Sequence, residues 1–192
     1  MVKLLGIVGS PRKGGNTEIL VKEALKAAER EGAEVELMHL VDFDIKPCDG
    51  CRFCVETRSC VVKDDVEKLY QKIVEADGVI VGSPVYFQGV NAQTKIFIDR
   101  VGYLHIVRGR KAFRNKIGGA IVAARRSGLV SALCQILMFF ISSRMIVATP
   151  TVMSLAREKG DAFKDAEATE NAIELGKKMV EIAEATVSLR GV

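Results

Sequence analysis

The sequence predicts an α/β fold in which a doubly wound, five-stranded parallel sheet carries helices on both faces. Short apolar segments alternate with longer amphipathic ones along the chain, which is the pattern of repeated strand–helix units. The short segments are apolar almost throughout, as expected of strands that are buried on both faces. Two of them run directly into the tripeptide Gly-Ser-Pro, at Gly9–Pro11 and Gly82–Pro84, and this tripeptide marks a loop.

The predicted elements follow in chain order. Strands are expected at five apolar segments: Leu4–Val8, Val35–Leu40, Val79–Val81, Ile117–Ala123 and Ile146–Val152. Helices are expected at about 16–31, 65–76, 91–101, 129–141 and 161–189. Asn16 or Thr17 is expected to cap the first helix, and Asp64 or Asp65 the second. Segment 44–63 is irregular, and the basic, polar segment Tyr103–Asn115 is predicted to be a surface excursion.

The composition is that of an ordinary globular protein. The chain has 192 residues, 48% of them hydrophobic and 27% charged, which excludes a disordered, collagen-like or coiled-coil chain. One domain over residues 1–192 is expected, with segment 44–63 as an inserted loop. The net charge of +4 comes from interspersed residues and does not indicate a nucleic-acid-binding protein. The apolar segment Leu129–Ile141 is shorter than the roughly 20 residues of a membrane span, and no targeting segment is evident, so we expect a cytoplasmic protein.

The loop after the first strand has the composition of a phosphate-binding loop. It leads into a helix, whose first N–H groups and partial positive charge favour an anion. Its residues add hydrogen-bonding side chains, a positive charge and glycines that permit close approach of the backbone. These residues are Ser10, Arg12, Gly14, Gly15, Asn16 and Thr17. An ordinary strand-to-helix turn is the alternative interpretation.

The spacing within this loop excludes two other nucleotide-binding motifs. Gly9 and Gly14 have the separation found in a Walker loop, but Gly15 and Asn16 follow where lysine and serine or threonine are needed. The G-x-G-x-x-G motif of dinucleotide-binding proteins is also absent. The loop is therefore predicted to hold a phosphate without the magnesium and lysine contacts of a Walker loop.

Two further loops are expected at the same edge of the sheet, because the carboxyl ends of parallel strands meet there. The loop Ser83–Gly89 contains the adjacent aromatic residues Tyr86 and Phe87. They suit a planar heterocycle, or else pack on the core. The third loop is 124–128. Asp99 and Arg100, at the end of the helix that follows the second loop, are expected in a structural ion pair.

Three motifs resemble those of the flavodoxin-like NADPH-dependent FMN reductases. They are Gly-Ser-Pro-Arg-x-x-Gly-Asn-Thr from Gly9, Gly-Ser-Pro-x-Tyr-Phe from Gly82 and Lys-x-Phe-Ile-Asp-Arg from Lys95. The resemblance covers the chain to about residue 130 and implies a flavodoxin-like fold. It also implies that the first loop holds the phosphate of FMN and that the other two hold its ring. The candidate FMN-binding residues are Ser10, Arg12, Gly15, Asn16, Thr17, Pro84, Val85, Tyr86, Phe87, Ala124, Arg125, Arg126, Ser127 and Gly128.

The third loop departs from the family pattern. Relatives often carry glycines where this chain has Ala123-Ala124-Arg125-Arg126-Ser127-Gly128. Either arginine is a candidate to lie near the flavin ring, where its charge would stabilise a reduced, anionic flavin. The alternative is that both arginines face solvent.

Four of the five cysteines have the spacing of an iron–sulfur ligand set. Cys48, Cys51, Cys54 and Cys60 follow C-x2-C-x2-C-x5-C, and three cysteines at this tight spacing can bind one side of a cubic cluster. The pattern predicts one 4Fe-4S cluster held by all four. Zinc usually takes two separated C-x2-C pairs, and disulfides are disfavoured in a reducing cytosol, but both remain alternatives. Cys134, in the apolar helix, is expected to be buried.

This cysteine spacing on a fold of this kind resembles the iron-sulfur flavoprotein family. The resemblance implies one FMN and one 4Fe-4S cluster in each subunit of a homo-oligomer, typically a tetramer built of dimers. It implies that the cluster of one subunit lies near the flavin of another. It further implies a ferredoxin-like electron donor and a small acceptor such as oxygen or hydrogen peroxide.

The sequence thus predicts an FMN-dependent oxidoreductase of the electron-transfer type. Because the cofactors supply the chemistry, no acid–base residues are required, and His39 and His105 are expected to be structural or exposed. Two alternatives stay open. One is an NAD(P)H-dependent FMN or quinone reductase with a zinc-bound or empty cysteine motif, and the other is a redox sensor.

Two surfaces are candidates for protein contacts. A run of basic residues is either a solvated face or a docking site for an acidic ferredoxin: Arg108, Arg110, Lys111, Arg114 and Lys116. The apolar helix 129–141 and the long C-terminal helix are the candidates for contacts between subunits.

Overall fold

The sheet of the computed structural model, which describes residues 1–190, has the parallel arrangement that the sequence predicts. Its strands are β1 (Lys3–Val8), β2 (Glu34–His39), β3 (Gly78–Tyr86), β4 (Gly89–Val90), β5 (Ile117–Ala124), β6 (Ile146–Val147) and β7 (Val152–Leu155). The order is β2-β1-β3-β5, and β6 and β7 both pair with β5 in the fifth position. These pairings are parallel, while the short β4 pairs antiparallel with the end of β3. The strand count therefore differs from the predicted five because the fifth strand is interrupted and β4 is added.

Helices cover both faces of the sheet. They are α1 (Asn16–Arg30), α2 (Phe53–Thr57), α3 (Val66–Glu75), α4 (Ala92–Val107), α5 (Leu129–Ser142), α6 (Ala166–Ala185) and α7 (Val187–Arg190). Short 3-10 turns lie at Leu40–Asp42 and Asp161–Lys164. α1 and α6 cover one core, and α3, α4 and α5 the other. None of the helices in the described residues is long and apolar enough to cross a membrane.

The third strand is longer than predicted. Gly82–Pro84, expected as the start of a loop, continues β3 and pairs with β5, where Pro84 lies opposite Ala123. β1 ends opposite Gly82, so from Ser83 onward β3 has a parallel partner on one side alone. A proline lacks the N–H that a second partner would need, and this one-sided position tolerates it.

The surface excursion predicted at Tyr103–Asn115 is wrong. α4 continues to Val107, and His105 and Phe113 are both fully buried. Their rings stack with centroids 4.3 Å apart. The polar and basic residues of this segment led to the prediction of a surface loop, although the apolar residues between them anchor the segment to the core.

Candidate functional site

Four loops at the carboxyl edge of the sheet surround a cavity of about 280 Å³. Three follow β1, β3 and β5, as predicted, and the fourth follows β7. The cavity is lined by Ser10, Arg12, Gly15, Asn16, Thr17, Pro84, Val85, Tyr86, Ala123, Ala124, Arg125, Ala156, Arg157 and Glu158. The lining combines the N-terminus of α1, one aromatic ring and three exposed arginines with a small apolar wall. We call it the α1 cavity.

Ten of the fourteen candidate FMN-binding residues lie in this lining. The other four lie outside it. Phe87 is fully exposed, Ser127 accepts a hydrogen bond from Gln88, and Gly128 precedes α5 in a left-handed conformation with φ 89°. Arg126 is exposed and outside the lining, whereas Arg125 is within it. The structure therefore separates the two arginines that the sequence treats alike.

The first loop is held from behind by buried polar side chains. Asn91 Nδ2 donates to the carbonyl oxygen of Gly9 at 2.6 Å, and Thr94 Oγ1 donates to Asn91 Oδ1 at 2.6 Å. On the cavity side, Ser10 Oγ accepts from the backbone N–H of Arg12 at 3.2 Å. These bonds fix the loop before a ligand binds, which lowers the entropic cost of binding.

Asn16 does not cap α1, contrary to the prediction. Gly15 is the N-cap residue, and no side chain caps the helix. The Asn16 amide instead donates to the carbonyl oxygens of Ala156 and Glu158 and accepts from the N–H groups of Gly160 and Ala162. Asn16 thus positions the fourth loop against the first, a role that sequence spacing does not reveal.

Ala156, Arg157 and Glu158 are lining residues that the sequence analysis missed. The predicted fifth strand ended at Val152, but β7 carries the chain on to Leu155. A strand extended to that point would have placed the loop after it at the same edge as the other three.

The cysteine loop surrounds a second cavity of about 330 Å³. All four cysteines of the motif line it, together with Asp49, Gly50, Arg52, Val61, Val62, Asp99, Arg100 and Tyr103. Each cysteine is a free thiol. The positive φ angles of Gly50, Arg52 and Arg58 bend the loop sharply on both sides of α2. We call this space the cysteine cavity.

The four thiols lie close enough to influence one another. Burial raises the pKa of the Cys54 thiol above its ordinary value, and the nearby Cys60, Cys48 and Cys51 thiols raise it further. Within residues 1–190, no three His, Cys, Asp or Glu side chains converge on a point that would hold a single metal ion. The thiols therefore surround a space without converging on one point.

Arg100, which lines the cysteine cavity, belongs to a buried ion pair. Arg100 and Asp64 make two contacts, Nη1 to Oδ2 at 2.8 Å and Nη2 to Oδ1 at 3.1 Å. Burial, the largest single influence, would raise the pKa of Asp64, but the hydrogen bonds and charge of Arg100 together with the N–H groups of Lys46 and Val66 outweigh it and hold that pKa below its ordinary value. Asp99 pairs separately with Lys95 at 2.5 Å. Asp99 and Arg100, which were expected in a structural ion pair, thus form two separate ion pairs with different partners.

The likeness of the chain to known proteins identifies its family. A family model described as NADPH-dependent FMN reductase matches residues 2–159. An iron-sulfur flavoprotein of Methanocaldococcus jannaschii is 43% identical over 190 residues, covering 94% of this chain and 97% of that protein. The chain belongs to the iron-sulfur flavoprotein family. A second member, from Archaeoglobus fulgidus, is 34% identical and covers 98% of this chain and 99% of its own. As a member of both families, the chain is an FMN-dependent oxidoreductase.

Solved structures confirm the fold of this iron-sulfur flavoprotein. A flavone reductase superimposes with a TM-score of 0.76 at 20% identity, covering 95% of this chain and 63% of that one. An archaeal flavodoxin gives a TM-score of 0.65 at 17% identity, covering 95% and 99%. At these identities the likeness establishes the flavodoxin-like fold and nothing further.

Two predictions about side chains outside the cavities change with the structure. Cys134 is exposed and not buried, because it lies on the outer face of α5. Within the basic run, Arg108 forms a two-point ion pair with Glu67, and Lys116 Nζ donates to the carbonyl oxygens of Val74 and Ala76. Both therefore serve the fold.

The two histidines have structural surroundings. His39 Nε2 lies 3.6 Å from Glu18 Oε2, and Glu18 also accepts a hydrogen bond from the N–H of Gly14 in the first loop. His105 is fully buried, with Nε2 3.2 Å from the carbonyl oxygen of Ser143. Neither lines the α1 cavity or the cysteine cavity.

His105 makes stability depend on pH. Burial lowers its pKa from 6.5 to about 4, so the unfolded chain binds its proton more readily than the folded chain does. This difference in proton binding does not affect stability above about pH 6.5. As the pH falls from there towards 4, it lowers the free energy of unfolding. The cost reaches about 2 kcal/mol between pH 7 and pH 5, from about 1.4 kcal/mol per pKa unit. His105→Phe keeps the stacking on Phe113 and should flatten the pH dependence of unfolding by that amount. Denaturant unfolding of both proteins at pH 7 and 5 measures this change. An equal loss of unfolding free energy in the two proteins would contradict the expected role of His105.

Proposed function

We propose that this iron-sulfur flavoprotein passes electrons between a 4Fe-4S cluster and FMN, and delivers them to a small acceptor such as oxygen or hydrogen peroxide. The observation that carries the proposal is the ring of four free thiols around one cavity in a chain of the FMN reductase family. When bound, the cluster supplies single electrons and FMN exchanges one or two, so their pairing joins one-electron donors to two-electron chemistry.

The chemistry of the cysteine cavity fits a cluster. Thiolates are the ligands of iron–sulfur clusters, and all four come from one short loop. Donors spread around a space of about 330 Å³ suit a polynuclear cluster better than a single zinc ion, which needs convergence on one point. Cys48, Cys51, Cys54 and Cys60 are the proposed ligands. Free thiols in such a site also favour a reducing, cytoplasmic setting.

The α1 cavity fits FMN. The N-terminus of α1 and the buried side chains of Ser10 and Thr17 offer donors to a phosphate, with Arg12 at the rim. The apolar wall of Val85 and Ala124 suits one face of a flat ring. These residues bind and orient; none of them needs to move a proton.

Arg125 is proposed to lie near the flavin ring and to favour its reduced, anionic form. Arg125→Ala should make the flavin midpoint potential more negative by about 40–60 mV, the equivalent of about 2 to 3 kcal/mol for two electrons. Arg126 is an arginine of the same loop outside the α1 cavity, so Arg126→Ala is the matched control and should leave the potential unchanged. Anaerobic redox titration measures both, and equal potentials in all three proteins would remove the proposed role.

We further propose a ferredoxin-like donor. The basic run keeps Lys111 and Arg114 exposed beside the half-buried Arg110, while Arg108 and Lys116 are engaged within the fold. Three positive residues on one segment suit an acidic carrier protein. Reduction by a ferredoxin that slows steeply as salt rises supports this docking, and salt-independent reduction opposes it.

The proposed assembly is a homotetramer built of dimers. The outer face of α5 carries an apolar stripe that consists of Val130, Cys134, Met138 and Ile141, with Val130 65% and Ile141 58% exposed. α6, in contrast, turns its apolar residues towards α1, so α5 is the better candidate for a subunit contact. The mass of the protein in solution tests this part of the proposal.

Cofactor analysis of anaerobically purified protein tests the proposed function. About four irons, four sulfides and one FMN per chain are expected, with flavin bands over broad cluster absorption. Flavin together with zinc, or flavin without iron under strict anaerobic handling, would instead leave a flavin reductase of the wider family.

A further inference from the structure

Arg100 is much more deeply buried than a residue of a surface ion pair. Its side chain is 2% exposed and that of its partner Asp64 is 0% exposed. Removing two charges from water is costly, and a buried pair adds little net stability unless its remaining hydrogen bonds are well satisfied. The surroundings of the pair therefore indicate what it does.

The pair joins the two ends of the cysteine loop. Asp64 Oδ2 accepts from the N–H of Lys46 at 3.0 Å, and Asp64 Oδ1 accepts from the N–H of Val66 at 3.1 Å. Arg100 Nη1 also donates to the carbonyl oxygen of Lys46. Lys46 lies two residues before Cys48, and Asp64 lies four residues after Cys60. One network therefore fixes the chain where it enters the loop and where it leaves it.

The same guanidinium reaches a cluster ligand. Arg100 Nη2 lies 3.3 Å from Sγ of Cys60 and donates to it. The pair with Asp64 is neutral overall, but its positive end faces the sulfur. A charged donor of this kind strengthens the hydrogen bond to a thiolate and withdraws electron density from it.

We propose that Arg100 is a positioning residue that holds the thiolate of Cys60 for cluster binding and makes the reduction potential of the cluster less negative. This inference rests on the proposed function, since it assumes that Cys60 is a ligand. Hydrogen bonds to ligand sulfurs stabilise the reduced, more negatively charged cluster and so raise its potential. The fourth ligand, six residues beyond the compact Cys48–Cys54 run, is the one that most needs an external anchor.

Two substitutions and one control test the proposal. Arg100→Met removes the charge and the donors, and Arg100→Lys keeps a charge within reach of Asp64 but lacks the fork that bonds Asp64 and Cys60 together. Lys72→Met is the matched control, because Lys72 forms an ion pair with Glu36, also 36 residues away in sequence, at 3.0 Å and does not line the cysteine cavity. FMN content reports whether each variant is folded, since the α1 cavity contains none of these residues.

The readouts are the midpoint potential of the cluster and the rate of iron release to a chelator, both measured anaerobically. Arg100→Met should shift the potential to more negative values and speed iron release at least about tenfold. Arg100→Lys should shift both in the same direction by less, and Lys72→Met should match the wild type. If Arg100→Met fails to retain FMN, Arg100→Lys decides the matter alone.

The outcomes separate this proposal from the proposed function. Arg100 variants that carry a full cluster with wild-type potential and wild-type iron release would overturn the role of Arg100 and leave the proposed function standing. A wild-type protein that holds FMN but no iron would overturn both.

Discussion

Cys51→Ser is expected to remove the cluster and leave FMN in place. Serine is a poor ligand for iron, and the other three thiols complete only part of a four-ligand set. Iron should fall from about four per chain to less than about one. FMN should stay, because the cysteine cavity and the α1 cavity share no lining residue. Iron, sulfide and FMN assays on anaerobically purified protein measure the result.

Cys134→Ser provides the matched control for this substitution. It changes the same atom of the same residue type, but Cys134 lies on the outer face of α5, away from the cysteine cavity. It should therefore retain a full complement of iron. A Cys51→Ser protein with wild-type iron content would show that Cys51 is not a ligand, and equal iron loss in both variants would point to a general effect of removing a thiol.

Ser10→Asp is expected to abolish tight FMN binding. Ser10 is buried within the first loop and lines the α1 cavity beside the start of α1. A carboxylate at this position would lie beside the hydrogen-bond donors that are proposed to bind the phosphate of FMN, and its negative charge would repel that phosphate. We expect the dissociation constant for FMN to rise at least about 100-fold, the equivalent of about 2.7 kcal/mol. Titration of the flavin-free protein with FMN, monitored by the quenching of flavin fluorescence, measures the change.

Lys13→Ala is the control for the altered charge of the loop. It changes the net charge by the same single unit, but Lys13 points to Asp42, with Nζ 2.7 Å from Oδ1, and does not line the α1 cavity. FMN affinity should change little in this variant. If both substitutions weakened FMN equally, the loop would act through its overall charge and not as a cradle for the phosphate.

The local features of this protein could be predicted from its sequence. The alternation of apolar and amphipathic segments predicts the parallel sheet and its two helical faces, because strand length, burial and crossover handedness are set within each unit. The first loop is likewise local, since its glycines and polar residues lie between one strand and the helix that follows it. The cysteine spacing brings four thiols to one cavity for the same reason.

The remainder depends on residues that are distant in sequence. Asn16 has cap-like chemistry, yet its amide is used by the loop around Glu158, 142 residues away. Arg100 binds Asp64, which lies 36 residues away in sequence, and no local pattern in either segment predicts this pair. The segment 103–115 has a polar sequence pattern because four arginines and lysines are interspersed with the buried Leu104, His105, Val107 and Phe113. Tertiary packing, and not local preference, decides such positions.

The interrupted fifth strand shows the same limit. A single apolar segment predicts one strand, but β6 and β7 pair with separate parts of β5, with residues 148–151 between them. The extension of β7 to Leu155 moves the following loop to the edge of the α1 cavity. The fourth wall of the site therefore depends on where one strand ends, which is the least predictable feature of any sequence.

We propose that one chain holds two redox centres that exchange electrons, and an anaerobic reductive titration tests this exchange. Reduced ferredoxin is added stepwise to the purified protein, while flavin absorbance and the EPR signal of the cluster are followed together. We expect uptake of about three electrons per chain, two by FMN and one by the cluster. Cys51→Ser should take up about two, and more slowly. Uptake of two electrons by the wild type, at the same rate as by Cys51→Ser, would show that no second redox centre passes electrons to FMN.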